Sequence, residues 1–192
     1  MSSKISKYIL NVHIISVSLF LGLSACGNKN YKTELAQIDS LKNVLDSTEQ
    51  IKQFDTGYYK TLLDSVKKDM ELVGAYYPDS LTIDQALTMD YYKSINKATT
   101  NFLEAYTILV KETEALQKQL NDLKGTLKAG EMSLDSFNYY FAREEEDVTK
   151  HVAQYKKVVG PIISVNSFKD SIMQEAQVVI NKSKELRDKQ GN

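Results

Sequence analysis

A helical periodicity that continues almost without interruption from residue 31 is the feature that most constrains this chain. Apolar side chains recur every three or four positions, which places them on one face of an α-helix. The 192 residues include only 2 Pro and 8 Gly, so few positions interrupt a helix. A long amphipathic helix cannot bury its apolar face alone. The pattern therefore predicts an all-α fold in which several helices pack together.

The first of three helical segments extends from Tyr31 to about Tyr77. Within it, the Asp-Thr-Gly sequence at 55–57 predicts a break or a recapping point. The Pro-Asp-Ser sequence at 78–80 predicts the turn that ends the segment. The apolar positions of its second half are Tyr59, Leu62, Val66, Met70, Val73 and Tyr77.

The second segment begins with Thr82 and Gln85, which have the spacing of a capping box. It continues to about Ala129, and Gly130 is the expected C-cap. The third segment starts at Ser133. Proline inside a helix removes a backbone hydrogen bond, so the Gly-Pro pair at 160–161 predicts a kink or break in this segment.

Three segments of similar length joined by short linkers predict an elongated antiparallel three-helix bundle with coiled-coil-like packing. At about 1.5 Å per residue, each segment is on the order of 70 Å long. The breaks at 55–57 and 160–161 then lie at the same mid-height, opposite residues 98–101 of the second segment. The alternative is a self-associating coiled coil whose segments unfold from one another.

The first 25 residues have the organisation of a secretory signal peptide. Lys4 and Lys7 form a short positive region. Residues 8–23 form a mostly apolar run that is marginal as a permanent span, which needs about 20 apolar residues. The run ends in a sequence that resembles a bacterial lipobox: Leu23, Ser24, Ala25 and Cys26. The alternative is an uncleaved anchor that precedes a buried core cysteine.

The lipobox resemblance implies cleavage before Cys26, a diacylglycerol on its sulfur and an acyl chain on the new amino group. Residues 1–25 are then the signal peptide, 26–30 a lipidated tether and 31–192 the helical bundle domain. Several acyl chains make a stable anchor, since each buried CH₂ contributes about 0.8 kcal/mol. The chain has no other cysteine, so we expect no disulfide, thiol nucleophile or thiolate metal site.

The residue after Cys26 bears on the destination of the protein. In Gram-negative lipoproteins an Asp at that position typically retains the protein in the inner membrane. Gly27 stands there instead, so the resemblance implies the outer membrane. Some Gram-negative bacteria use acidic residues just after the cysteine as a surface-export signal. The first acidic residue is Glu34, which favours an orientation towards the periplasm.

Several short motifs of the bundle domain also form a recognisable pattern. They are Asp39-Ser40-Leu41, Leu45-Asp46-Ser47, Gln119-Leu120-Asn121-Asp122-Leu123, Lys128-Ala129-Gly130 and Phe137-Asn138-Tyr139-Tyr140. With them the chain resembles a family of small, helical, coiled-coil-like Gram-negative envelope lipoproteins of uncharacterised activity. The resemblance implies an envelope location and assigns no catalytic residue. The chain departs from the family pattern by the Gly-Pro pair in its last helix.

Charge and motif content argue against several classes of function. The chain has 24 basic and 25 acidic residues. Residues 1–25 hold two of the basic residues and no acidic one, so removing them leaves 22 against 25. A nucleic-acid-binding protein normally carries a clear basic excess. The sequence also lacks phosphate-binding, zinc-protease, serine-hydrolase and calcium-loop motifs.

After cleavage, His151 would be the only histidine, and we expect it partly exposed beside the core. A single histidine cannot form a multi-histidine metal site or a Ser-His-Asp triad within one subunit. The sequence therefore predicts no catalytic residue, no metal site and no cofactor beyond the covalent lipid.

Two groups of side chains are candidates for contact with a ligand or partner. Tyr-Tyr pairs at 58–59, 76–77, 91–92 and 139–140 predict one ring of each pair in the core and the other at its flank. The alternative is a set of stacking platforms for a sugar or a peptide, with Tyr58, Tyr91 and Tyr139 as contacts. The second group is the acidic run Glu144-Glu145-Glu146-Asp147. It is either a solvated face or a docking patch for a basic partner, with Glu144, Glu145 and Glu146 as the contacts.

The sequence predicts a lipid-anchored structural or adaptor lipoprotein that contacts another envelope protein and is not an enzyme. The alternative is a ligand-binding lipoprotein that captures a peptide, a glycan or an unfolded client in a groove beside the mid-height breaks. A fully packed interface between the helices, with one exposed patch outside it, would favour the adaptor. A concave apolar pocket of a few hundred Å³ would favour the ligand-binding protein.

Overall fold

The computed structural model describes residues 31–77 and 81–190. These residues form α1 (Lys32–Asp46), a 3₁₀ helix (Glu49–Gln53), α2 (Thr56–Tyr76), α3 (Ile83–Lys128) and α4 (Leu134–Gln190). No β-strand occurs among them, and the predicted all-α fold is confirmed. The predicted signal peptide, the tether with Cys26 and the turn at 78–80 lie outside the described residues. Within the described part, no helix is long and apolar enough to cross a membrane.

The helices form an antiparallel bundle of three arms. The first arm consists of α1 and α2, the second is α3 and the third is α4. Neighbouring arms run in opposite directions, so residue numbers rise along one arm while they fall along the next. Three side-chain contacts between arms show this: Lys124–Asp39, Tyr92–Asp69 and Thr88–Glu175. The predicted antiparallel arrangement is confirmed.

The first arm is interrupted over a longer stretch than the predicted 55–57. Its helix stops at Asp46 and resumes only at Thr56, with the 3₁₀ helix between them. At the new start, the Oδ1 atom of Asp55 accepts hydrogen bonds from the backbone N–H groups of Gly57 (2.8 Å) and Tyr58 (3.2 Å). Asp55 therefore satisfies orphan donors of the first turn, and the predicted recapping is confirmed.

The ends of α3 are also set by local capping. The Thr82 hydroxyl accepts from the Gln85 N–H (3.3 Å), and the Gln85 side chain accepts from the Thr82 N–H (3.0 Å), which is the predicted capping box. At the other end, Gly130 has a φ of 72°, a left-handed conformation that glycine adopts without steric cost. Its N–H donates to the Leu127 carbonyl (3.1 Å), as in a Schellman motif.

Of the kink or break predicted at 160–161, the break is wrong, because α4 continues through both residues. Pro161 lies on the exposed side of α4, while Ile162 beside it is fully buried. The carbonyl of Lys157 loses its helical partner there, but Lys157 is exposed, so water can bind that carbonyl. Packing of the opposite face against the other two arms therefore keeps the helix continuous.

Buried apolar side chains form two clusters along the bundle. The α1 cluster joins α1, the second half of α3 and the first half of α4: Ile38, Leu41, Leu45, Leu116, Leu120, Leu123, Leu127, Phe137 and Val148. The α2 cluster joins α2, the first half of α3 with Leu109, and the middle and second half of α4, with Tyr59, Val66, Tyr92, Ile95, Phe102, Val159 and Ile162 among its members. The two clusters meet at the level where the first arm is interrupted.

Aromatic rings fill the bundle beside this interruption. Phe54 and Tyr59 pack on Phe102 of α3, with ring centroids 5.3 and 5.1 Å apart. Asn166 of α4 donates a hydrogen bond to the Tyr59 hydroxyl (2.7 Å). The recapping point of the first arm therefore lies opposite Phe102, next to the predicted position at 98–101.

Candidate functional site

A stripe of exposed apolar side chains runs along the beginning of α3. Ile83, Leu87 and Tyr91 are 80%, 53% and 56% exposed. Their four-residue spacing places them in succession along one side of the helix. Single exposed apolar residues are common, but a contiguous group is typical of an interaction surface. We refer to these three residues as the apolar stripe.

The apolar stripe lies outside the seam of the bundle. The core-facing positions of this part of α3 are taken by Met89, Tyr92 and Ile95, which are buried. At its inner end the stripe approaches α4, because the ring centroid of Tyr91 lies 6.5 Å from that of Phe168. The apolar stripe therefore takes no part in the packing between the helices and remains on the surface of the bundle.

The apolar stripe is at the end of the bundle that lies far from residue 31. The hydroxyl of Tyr31, where the described part begins, donates to the Met132 carbonyl (3.3 Å), just after the end of α3. The stripe occupies the opposite end of α3, a helix of 46 residues. At 1.5 Å per residue the two ends are about 70 Å apart.

The predicted contact tyrosines are not brought together. Tyr58, Tyr91 and Tyr139 are 43%, 56% and 60% exposed, and they belong to α2, α3 and α4 respectively. Their neighbours Tyr59 and Tyr92 are buried in the α2 cluster. In these two pairs one ring therefore enters the core and the other remains outside, as the sequence predicted.

The other two tyrosine pairs differ from the prediction. Tyr139 and Tyr140 are both exposed, because Phe137 and Phe141 take the core-facing side of this turn with stacked rings 5.4 Å apart. Residues 76 and 77, at the end of α2, are both half-buried. Pairing alone did not show which ring faces the core.

The acidic run does not form one patch. Glu145 is exposed, while Glu146 pairs with Lys150 one turn later (2.5 Å). The hydrogen bond from Lys150 holds the pKa of the Glu146 carboxyl below its usual value. Neighbouring helical residues point in different directions, so the three carboxylates do not converge.

Glu144 is the unusual member of the run, because it turns towards the α1 cluster. It lies three residues after Phe141 and four before Val148, both of which pack in that cluster. Its Oε2 atom is buried and has no hydrogen-bond partner among the described residues. Burial, helped by the nearby Asp147 carboxylate, raises the pKa of Glu144.

The raised pKa of Glu144 gives a testable pH dependence. As pH rises, the carboxyl group of Glu144 loses its proton at a lower pH in the unfolded chain than in the folded protein. The free energy of unfolding therefore falls as pH rises from the usual glutamate pKa towards the higher pKa of the folded state. Glu144→Gln removes the penalty, and we expect it to melt about 1–3 °C above the wild type at pH 7. The gain is small because the side chain of Glu144 is only partly buried. Thermal melts at pH 7 and pH 3 measure it.

The control for this prediction is Glu145→Gln, the same change one residue along at an exposed position. It should leave the melting temperature unchanged at both pH values. An equal gain from both variants, or a gain from Glu144→Gln that persists at pH 3, would contradict burial as the cause.

A polar layer crosses the bundle between the α1 and α2 clusters. The Thr113 Oγ1 atom lies 2.8 Å from Nε2 of His151 and 3.3 Å from Oγ1 of Thr48. On the other side of the ring, Nδ1 lies 3.2 Å from the Glu112 carboxylate. Thr48, Thr113 and His151 are buried, so the expectation of a partly exposed histidine is wrong. We refer to these four residues as the polar layer.

An open cleft of about 510 Å³ lies over the polar layer, between α3 and α4. Its rim is charged, with Glu112, Asp147 and Lys150, and His151 lies in its floor. Both ring nitrogens of His151 already face a partner within the bundle. The histidine therefore connects helices and does not present a free nitrogen to the cleft.

No group of three or more His, Cys, Asp or Glu side chains in the described part of the chain is placed to hold a metal ion. The chain matches no protein-family model, and neither a curated protein nor a solved structure shows significant similarity to it. The apolar stripe and the clefts are therefore interpreted from their own geometry.

Proposed function

We propose that this protein is a lipid-anchored outer-membrane lipoprotein that acts as an adaptor or spacer through contact with another envelope protein, and not through catalysis. In this proposal Cys26 carries the diacylglycerol and the N-acyl chain, and residues 26–30 connect the membrane to Tyr31. The anchor and the bundle have separate roles, since one holds the protein at the membrane and the other presents a surface.

The apolar stripe is the observation that carries the proposal. The centres of protein interfaces are apolar and enriched in aromatic residues. Ile83, Leu87 and Tyr91 provide such a centre, with two aliphatic side chains and one ring. Exposing them to water is unfavourable, at about 25 cal/mol per Å² of apolar surface. A partner that covers them would recover this free energy.

The position of the apolar stripe supports a spacer role. Tyr31 adjoins the end of α3, so a tether of five residues places that end near the membrane. The stripe lies at the beginning of α3, about 70 Å away along the helix. The bundle would then hold its binding surface at a fixed distance from the lipid.

Site-specific crosslinking in intact cells tests this function. A photo-reactive amino acid at Leu87 should give one discrete adduct with an envelope protein, because Leu87 lies at the middle of the stripe. The same group at Val44, also exposed but in α1, is the matched control and should not give that adduct. The Tyr91→Ser substitution should weaken the Leu87 adduct, since it makes the inner end of the stripe polar.

Cys26→Ser tests the anchor in the same cells. Without the thiol, neither acylation nor cleavage should occur, so the protein should incorporate no labelled palmitate and should keep residues 1–25. The Leu87 adduct should decrease, because the unprocessed protein is no longer delivered to the outer membrane. Equal adducts from Leu87 and Val44, or Cys26→Ser protein that still incorporates palmitate or still loses residues 1–25, would overturn the corresponding part of the proposal.

A further inference from the structure

A cleft of about 490 Å³ opens beside the interruption of the first arm. It lies between the 3₁₀ helix, the first turn of α2 and the middle of α4. Its polar and aromatic lining includes Gln50, Gln53, Asp55, Tyr58, Asn166 and Lys169. Its volume is within the range of small-molecule sites. The interruption of the helix therefore creates a concave surface that an unbroken first arm would not have.

The ring of Tyr58 forms a fixed platform in this cleft. The side chain is 43% exposed, and its ring packs edge-on against Tyr59 with centroids 5.1 Å apart. Lys169, which is mostly buried, lines the same cleft and pairs with Asp170 (3.3 Å). The contact with Tyr59 restricts the ring, so a ligand would meet an ordered aromatic surface.

Primary amides surround the platform. Gln50 and Gln53 of the 3₁₀ helix are exposed and make no hydrogen bond to another residue in the described ranges. Asn166 donates to the buried Tyr59 hydroxyl, which fixes its orientation and leaves its carbonyl oxygen free to accept. Amide groups both donate and accept hydrogen bonds. The cleft therefore offers both kinds of partner to a ligand that carries several hydroxyl groups.

The charges in the cleft do not favour an anion. The first turn of α2 could attract one through its free N–H groups, but the Asp55 carboxylate already accepts from two of them. The positive charge of Lys169 is paired with Asp170. A phosphate or carboxylate would therefore meet an occupied helix end and a neutralised lysine, whereas a neutral ligand meets no such penalty.

We propose that this cleft binds a neutral saccharide, with the apolar C–H face of a sugar ring on Tyr58 and its hydroxyl groups hydrogen-bonded to Gln50, Gln53 and Asn166. The negative face of an aromatic ring attracts polarised C–H groups, and the amides match hydroxyl groups. This site is separate from the apolar stripe, and it requires neither the lipid anchor nor a protein partner.

Saturation-transfer difference NMR on the full chain tests the site, in a detergent without a sugar headgroup. The probes are maltotriose, cellotriose and triacetylchitotriose, with trialanine and inorganic phosphate as the peptide and anion comparisons. We expect at least one trisaccharide to bind and Tyr58→Ala to weaken its binding about tenfold, because the stacking surface is lost. Gln53→Ala should weaken it less, since other amides remain.

Tyr91→Ala is the matched control, because Tyr91 is also an exposed tyrosine but lies outside the cleft. It should leave saccharide binding unchanged, and thermal melts of both variants should confirm that they are folded. The proposal is overturned if no trisaccharide binds at about 10 mM, if trialanine or phosphate binds in their place, or if both tyrosine variants weaken binding equally. None of these outcomes depends on crosslinking at the stripe.

Discussion

Replacing Phe102 by alanine is expected to lower the free energy of unfolding by about 3–5 kcal/mol. The ring is fully buried and packs against Phe54, Tyr59 and Tyr106, with centroids 5.1 to 5.6 Å away. Removing it opens a cavity where all three arms meet. An ordinary domain has only about 5–15 kcal/mol of stability, so the melting temperature should fall by roughly 6–20 °C. Thermal unfolding followed by circular dichroism measures this.

Tyr58→Ala is the control for this loss of stability. Tyr58 has the same kind of side chain in the same region, but much of it remains in water, so its removal should cost far less. Tyr59→Ala should resemble Phe102→Ala, because Tyr59 is buried and its hydroxyl accepts from Asn166. Melting temperatures that hardly change for Phe102→Ala and Tyr59→Ala would show that the aromatic cluster does not support the bundle.

Replacing Pro161 by alanine is expected to raise the free energy of unfolding by about 1–3 kcal/mol. Alanine restores the N–H group that the Lys157 carbonyl lacks and removes the steric clash of the proline ring. Part of the gain is offset, because proline also restricts the unfolded chain. Pro161 is exposed, so the change should not disturb the buried side of α4. Chemical denaturation gives the change in free energy.

Gly160→Ala is the matched comparison. A Cβ added at Gly160 meets no atom within 4 Å beyond its chain neighbours and the local helix backbone. The ring of Pro161 restricts a Cβ on the residue before it, so this variant should gain less than the about 0.5–1 kcal/mol of helix propensity. Pro161→Ala should gain more. If it lowered stability instead, the local geometry that proline imposes on α4 would be required for its packing against the other arms.

The fold was largely predictable because its signals are local. The spacing of apolar residues every three or four positions predicted which face of each helix lies in the core. The capping box at Thr82 and Gln85 and the glycine at 130 predicted the two ends of α3. The continuity of α4 was not predictable from the same signals. A proline opposes a helix locally, and only the packing of buried neighbours such as Val159 and Ile162 outweighs that preference.

The surfaces were less predictable, because they depend on how the helices face one another. The sequence alone did not single out Ile83 and Leu87, and only the bundle shows that Met89 and Tyr92 occupy the core positions while these two remain exposed. The burial of His151 had a signal that was missed, since it lies three residues after Val148 and four before Tyr155, both buried. Its contact with Thr113, 38 residues earlier in the sequence, depends on the alignment of α3 and α4.

The polar layer has a consequence for how the chain avoids misfolding. Helices with a repeating apolar pattern can pair after sliding by seven residues, because leucines still meet leucines. A slide of α4 by that length would move His151 away from Thr113 and towards apolar side chains such as Leu120. Each buried polar group left without a partner costs about 1–3 kcal/mol. Thr48, Thr113 and His151 therefore destabilise slipped pairings that the apolar contacts alone would allow. A folding chain consequently has one favoured alignment of α4 with α3.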